Sequence, residues 1–544
     1  MGKKLLIISI VAAVAVFGGG GLFTAYAMFD VFKSPKTVYL ESEFKAWRAF
    51  ETKLSEAVRQ WKTNDLPYLE EPYESATEIS DLKLEGLENG EVADEVLDFL
   101  RDWTLTVHSK TDPESNRYLN EFVLSLDGER FVGIESAIEE TRIGIRVKDI
   151  LDQYLVIDLQ SDENGELPKR IVSTKDILDV LRVSGEDVKP ILAKYVDIYV
   201  GELKDSQVTL TKNASFKRGD FEKKVREVTV TFSTDELVNL MVKWLEHMEK
   251  DEALIDLLYG KYEALAKLAE DSREPFDFKS KSEFTDDFKA GIRETIDELG
   301  DGDKYDDALK IVLLVDGKDR IVSRSVTLKG TDDAVLEAEW AKWTDSGNTE
   351  HTELVLHVEE DEFFFDFEAG YARQDETRKG TFRIETSRES FGEESASEIR
   401  GEFTITGKEG REEAEVDFGV KVKEAWDDEL REVLRASIQM EGETDDSGRS
   451  GDHTGRVSLT ISDESGGPIS VAFKLRTKTN AMESFQFPSY NDDNSIDLLK
   501  MAGDTPEFDP QFAQELIDSL TRFMEEKGDI LDRIGEVFGF SIPG

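Results

Sequence analysis

The stretch EVDFGVKVK, residues 415–423, sets Val416, Phe418, Val420 and Val422 on alternate positions, with Asp417, Gly419 and Lys421 between them. A period of two sends successive side chains to opposite faces of a strand, so this segment reads as β with one apolar and one wet face. The same alternation runs outward in both directions from Ala308 to Lys478. Upstream it sets Phe363, Phe365 and Phe367, then Phe382 and Ile384, then Phe403 and Ile405. Downstream it sets Leu434, Ala436, Ile438 and Met440, then Val457, Leu459 and Ile461, then Ile469, Val471, Phe473 and Leu475. The spacers 392–395, 408–411, 445–452 and 463–467 are rich in Gly, Ser and charge, as hairpin connections should be. About ten antiparallel strands are expected here.

The rest of the chain mixes periods. Leu40, Phe44, Trp47, Phe50, Leu54, Val58 and Trp61 recur at helical spacing after Ser34-Pro35-Lys36, and Pro67 and Pro72 end that pattern. A short helix is expected over 92–100, and strands near 103–107, 118–126, 130–137 and 141–159. Asp127-Gly128 marks a tight hairpin turn. Helices are expected near 174–182 and 186–200, strands near 206–211 and 225–232. Ser233-Thr-Asp-Glu236 is a capping box opening a helix, and a second helix follows. The charged, Pro275-containing segment 272–282 reads as the best domain boundary, with a helix over 283–299 after it. Residues 479–508 read as a loop. Asp509-Pro510 starts the first of two C-terminal helices, expected to cover the apolar side of the sheet.

Near the start, Leu5–Phe29 carries no charge and is long enough to cross a bilayer core. Lys3 and Lys4 before it favour a cytoplasmic N-terminus. Ala25-Tyr26-Ala27 has the form of a signal-peptidase site, which leaves cleavage after Ala27 as the competing reading. An uncleaved anchor is expected, with the body extracytoplasmic at a bacterial cell membrane. The expected division is 1–36 for tip, anchor and linker, 37–275 for an N-terminal α+β domain, and 276–544 for a C-terminal antiparallel-sheet domain closed by two helices.

Composition narrows the class of partner. The chain has 544 residues, 118 acidic and 67 basic, for a formal charge of −51. Such a surface repels nucleic acid and anionic headgroups. An acid-shifted proteome accounts for it, and recruitment of cationic partners is the sharper alternative. With no cysteine there is no disulfide, thiolate metal site or cysteine nucleophile.

The Lys3-Lys4 apolar segment with its cluster Gly18–Gly21, followed by Ser34-Pro35-Lys36 with Tyr39, Glu41 and Glu43, resembles uncharacterised membrane-anchored bacterial proteins classed as a domain of unknown function. That resemblance implies no activity and no catalytic residue.

Chemistry candidates are weak. His351 and His357 stand six apart on one strand beside Glu353 and Glu359, an arrangement that suits a surface metal site or merely a wet strand face. His247 has no second histidine one turn away. Asp301, Asp303, Asp306 and Asp307 form an acidic loop without the glycine that a calcium loop needs. No nucleophile elbow, phosphate loop or dinucleotide fingerprint is present. The sequence therefore nominates no catalytic, cofactor-binding or metal-ligating residue.

The fold expected is α+β: large curved antiparallel β-sheets packed against helices, after one N-terminal transmembrane helix. A weak match between Phe122–Gly128 and Ile311–Gly317 raises two diverged copies of a helix-plus-sheet unit. A curled sheet with an apolar concave face and helical plugs is similar in architecture to lipoprotein-carrier proteins. The function expected is non-enzymatic binding of a hydrophobic ligand or an envelope partner. The alternatives are a carboxylate-dependent hydrolase of cell-wall polymers and a structural scaffold.

Overall fold

The computed structural model describes residues 34–64, 71–86, 98–162, 167–182, 185–299, 305, 307–330, 334–360, 363–390, 393–408, 411–424, 429–445, 450–462, 468–491, 493–501 and 510–538. Its strands form one sheet of 20. The first six are β1 (Tyr73–Glu85), β2 (Trp103–Asp112), β3 (Arg117–Leu126), β4 (Glu129–Glu139), β5 (Arg142–Val147) and β6 (Tyr154–Asp158). Then come β7 (Val208–Arg218), β8 (Phe221–Phe232), β9 (Leu309–Val315), β10 (Ile321–Lys329), β11 (Val335–Thr344), β12 (Glu350–Glu360) and β13 (Phe363–Gln374). The last are β14 (Thr377–Ser390), β15 (Glu393–Lys408), β16 (Arg411–Lys423), β17 (Arg431–Thr444), β18 (Ser450–Ile461), β19 (Ile469–Ala481) and β20 (Ser495–Asp497).

Strands β7 to β19 pair one after another as antiparallel neighbours. β19 then pairs with β1, and β1 to β6 continue the meander. β20 joins β6 in parallel. Among the described pairings β7 and β20 each have one neighbour, so the sheet is open. Edge strand β7 carries Lys212, Lys217 and a bulge between Thr211 and Ala214, which discourage pairing with another chain.

Register puts one apolar row across thirteen strands. Val208, Val230, Ile311, Val326, Ala338 and Leu356 lie side by side on β7 to β12. Phe367, Ile384, Ile399, Val420, Leu434, Ile461 and Ile469 carry the line on to β19. Each strand keeps its place because a slip of one residue would turn its whole apolar set to the wet side.

Helices cover one end of this row. α1 (Pro35–Asn64) starts with Ser34, whose hydroxyl accepts the Thr37 N–H at 3.1 Å, and with proline at its first position. α2 (Thr174–Leu181), α3 (Gly185–Glu202), α4 (Thr234–Lys250), α5 (Glu252–Ser272) and α6 (Lys281–Glu298) follow. Short α7 (Leu498–Met501) precedes α8 (Pro510–Glu526) and α9 (Gly528–Phe538). Val38 and Leu40 of α1, Val196 of α3 and Leu240 of α4 close over Val230, Ile311 and Val326, none of which is more than 1% exposed. Each such side chain contributes about 1.5–3 kcal/mol by burial.

A polar cluster ties α1 into that core. Glu43 is 3% exposed and ion-pairs with Arg324 of β10. The Tyr39 and Tyr199 hydroxyls hydrogen-bond at 2.9 Å. Burial pushes the Glu43 carboxyl upward against the opposing pull of Arg324, and burial wins. Lys36 donates to the Val200 and Leu203 carbonyls, and Lys45 to the Lys318 carbonyl at 2.9 Å. The β9–β10 turn below is held by Asp316, which accepts from Arg320 at 2.7 Å and from the Lys318 and Arg320 backbone. Burial raises the Asp316 carboxyl, but Arg320 and those N–H groups outweigh it and bring its pKa down to about 2.

Several expectations are corrected. Two sheets are replaced by one, because β8 pairs with β9 and β19 returns to β1. The two-copy reading fails with it. Asp127 and Gly128 both take positive φ in a two-residue turn, whereas in the β9–β10 turn the left-handed residue is Asp319. β1 is a strand that period-two reading missed. The anchor expected over Leu5–Phe29 lies outside the described residues, and among the described helices none is long and apolar enough to cross a membrane. That statement says nothing of a β-barrel. The C-terminal helices do not lie on the C-terminal strands: Ile530, Ile534 and Val537 of α9 pack on Phe99 and, in the same sheet, on Trp103 of β2 and Phe131 of β4.

Two measurements check this account. Arg324→Ala leaves Glu43 buried without its partner and is expected to cost about 3–5 kcal/mol in urea unfolding; replacing both residues by leucine recovers most of it. For Asp316, a folded pKa below the unfolded one means stability present above pH 4 and lost as pH falls toward 2. Asp316→Asn is expected to flatten that decline and to lower stability at neutral pH by about 2 kcal/mol.

Candidate functional site

The two faces of β12–β19 differ in chemistry and in curvature. On the wet face a trough of about 1090 Å³ touches Glu353, Glu368, Arg383, Arg400, Glu402 and Asp417, so the sheet bends around its polar side. A hollow of about 530 Å³ extends it to Trp343 and His351, and another of about 500 Å³ extends it to Gln439, Arg456 and Lys474. The apolar row lies on the opposite, convex face. This reverses the expected apolar concavity. The reason is the alternation itself: Arg383, Arg400, Gly419 and Arg435 sit in register on the face that the strands fold toward.

Inside the trough the charges are ordered. Arg383 pairs with Glu385, Arg400 with Glu398 and Arg435 with Glu432, each along its own strand. The three carboxylates lie in the next row, with Lys421 between Glu398 and Glu432. Glu398 is 5% exposed, so its pairing with Arg400 offsets a real desolvation cost. The spacings Arg383-Ile-Glu385 and Glu398-Ile-Arg400 carry this signal in the sequence.

At the far end of the sheet the polar side is closed. Tyr490 donates to the Ala137 carbonyl at 2.8 Å and packs on Tyr154. Glu135 is held there by Lys148 at 2.7 Å, Arg146 at 3.0 Å and the Tyr154 hydroxyl. Burial raises its carboxyl, but those partners prevail and hold it below the usual range. An acid–base pair needs one carboxyl raised. The described carboxylate that is raised, Glu43, is enclosed beneath α1, far from the trough.

The histidines do not converge. His351 stacks on Trp343 at 4.9 Å and bonds to Asp345 at 3.0 Å. His357 faces Glu359 at 3.6 Å and Asp366 at 3.8 Å. Glu353 is taken by Arg218 at 2.9 Å. Among the described residues no group of three or more candidate ligands could hold a metal. Of the acidic loop, Asp301, Asp303 and Asp306 lie outside the described residues, and Asp307 pairs with Lys329 at 2.8 Å.

On the convex face nothing described covers β12–β19. None of the four buried apolar clusters draws a residue from these strands. Leu354 is 41% exposed, Ile461 53% and Ile469 38%. Gly380 stands opposite Phe403, and Phe382 opposite Gly401, so each ring lies over a glycine and keeps the face continuous.

Residues 2–344 match the model of a family of unknown function, DUF6583. The chain belongs to that family. The match ends at Thr344, the last residue of β11, so the trough and the open band of this DUF6583 chain lie beyond it. No curated protein matches. Among solved structures, OccAB2 of Acinetobacter baumannii is 6% identical, with 75% of this chain and 97% of that chain covered, at a TM-score of 0.24. OccK5 (OpdH) of Pseudomonas aeruginosa is 7% identical, covering 76% and 98%, at 0.22. The outer membrane protein OmpT of Vibrio cholerae is 5% identical, covering 75% and 96%, at 0.21. At these scores the likeness carries no argument about this chain.

Gly401→Ala tests the glycine–ring pairing. A Cβ there collides with the Phe382 ring and comes within 2.8 Å of the Asp417 carbonyl oxygen. The expected cost is about 1–3 kcal/mol in denaturant unfolding. Gly407→Ala, where a Cβ meets nothing within 4 Å, is the near-neutral control.

Proposed function

We propose that this DUF6583 chain is a non-enzymatic protein of the bacterial cell envelope that binds a hydrophobic partner on the open face of β12–β19. The supporting observation is the thirteen-strand row. Helices close its first four positions, and its last two are more than a third exposed. Eight strands at about 4.8 Å and three rows of alternate residues give a footprint on the order of 700 Å². Soluble monomers rarely leave patches above about 300–600 Å² uncovered. Covering half of it would contribute several kcal/mol, at about 25 cal/mol per Å².

The uncharged stretch Leu5–Phe29 supports attachment to a membrane, and Lys3-Lys4 before it supports an extracytoplasmic body. A sheltered acyl cavity between helices and sheet is not part of this reading, because the three hollows described all lie on the polar face.

A photoreactive residue at position 399 or 400, in full-length protein expressed in cells, separates the two faces. Adducts to lipid or protein are expected from the apolar position 399 and at least tenfold fewer from the trough position 400. Equal yields, or none from 399, would remove the reading.

A further inference from the structure

The partner's chemistry is narrowed by what borders the open band on β12–β14. On the apolar face of β12, Glu350 and Glu360 stand ten residues apart, with Thr352, Leu354, Leu356 and Val358 between them. On β14, Arg378 and Arg388 stand ten apart, with Gly380, Phe382, Ile384 and Thr386 between. In register on β12–β14, Glu350, Arg373 and Arg378 form one charged rim, and Glu360 and Arg388 flank Phe363 at the other; from β15 on the first row runs through Ile405, Ala414, Met440, Gly455 and Leu475. The rims are about 34 Å apart along the strand. Charges of both signs bordering a smooth convex apolar surface suit headgroups around a hydrocarbon contact.

The direction of the chain adds a second observation. α1 begins six residues after Phe29. Its first turns pack on Val230, Ile311 and Val326, members of the same register row that emerges uncovered on β12–β19. The first turns of α1 therefore lie on the apolar side of the sheet, the side that carries the open band.

Edge strand β7 bears on spanning against resting. Among the described pairings it has a strand on one side only, and hydrocarbon does not tolerate an open edge. Polar charge fills the concave side. An interfacial contact leaves both in water, whereas a span would bury that edge.

We propose that the convex face of β12–β19 rests in one leaflet of a lipid bilayer, the charged rims of β12–β14 among the headgroups and the polar trough facing water. This deepens the reading above and rests on it. A formal charge of −51 adds a lipid preference: zwitterionic surfaces are favoured over anionic ones at low salt.

The cysteine-free chain permits a direct test. Full-length protein carrying single cysteines Ile399→Cys, Leu434→Cys, Arg400→Cys or Arg435→Cys is labelled with bimane and reconstituted in phosphatidylcholine vesicles. Lipids carry a nitroxide quencher either near the headgroup or at the chain end. Positions 399 and 434 are expected to shift to the blue and to lose at least half their emission to the shallow quencher, with less lost to the deep one. Positions 400 and 435 are expected to keep theirs. Replacing a third of the lipid by phosphatidylglycerol is expected to reduce quenching at low salt. Stronger quenching by the deep label would overturn the one-leaflet arrangement. Unquenched 399 and 434 would overturn the bilayer as partner; photoadducts to protein persisting from position 399 would then leave the broader binding reading standing.

Discussion

Backbone pairing in phase is the constraint on which everything else depends. Thirteen consecutive strands hold one register, so Val208 at one end and Ile469 at the other belong to a single line of apolar side chains. Each ladder bond is ordinary. Their joint effect is that every strand inherits its neighbour's inside and outside. Once Val230 and Ile311 are buried under helices, the faces of Ile399 and Val420 are already chosen. That propagation carries the apolar side far beyond the helices able to cover it.

The two ends of the sheet use polar groups differently. Under α1, Glu43 and Arg324 are sealed in with Tyr39 and Tyr199, which fixes where the first helix sits at the expense of burying a charge pair. In the trough, Arg383, Arg400 and Arg435 each lean on a glutamate of their own strand. The ladder is half in water, so it costs less and keeps a densely charged concave face from repelling itself apart. With an apolar back and a polar front whose arginines are paired, β12–β19 stand as a single layer among the described residues.

Most elements were legible in the chain. The alternation at Val416–Val422, the capping box at Ser233 and the Asp127-Gly128 turn each appear where expected. β1 was not legible, and its irregularity is the reason. Its register shifts between Ser80 and Lys83, with Asp81 at positive φ, so Ile79 and Leu84 fall on one face despite odd and even numbers. The Arg–Glu spacing on alternate residues was readable but resembled any charged strand surface. The Glu43–Arg324 pair was not readable, since 281 residues separate its partners.

The sequence by itself determined where the regular strands fall, which of their residues share a face, and how strongly anionic the chain is. These follow from side-chain period and composition, both local properties. Only the tertiary structure decided that β19 turns back to β1, that one sheet replaces two, and that the polar face is the concave one. Pairing partner and bend are set by backbone hydrogen bonds between distant segments, and those groups are the same in every residue.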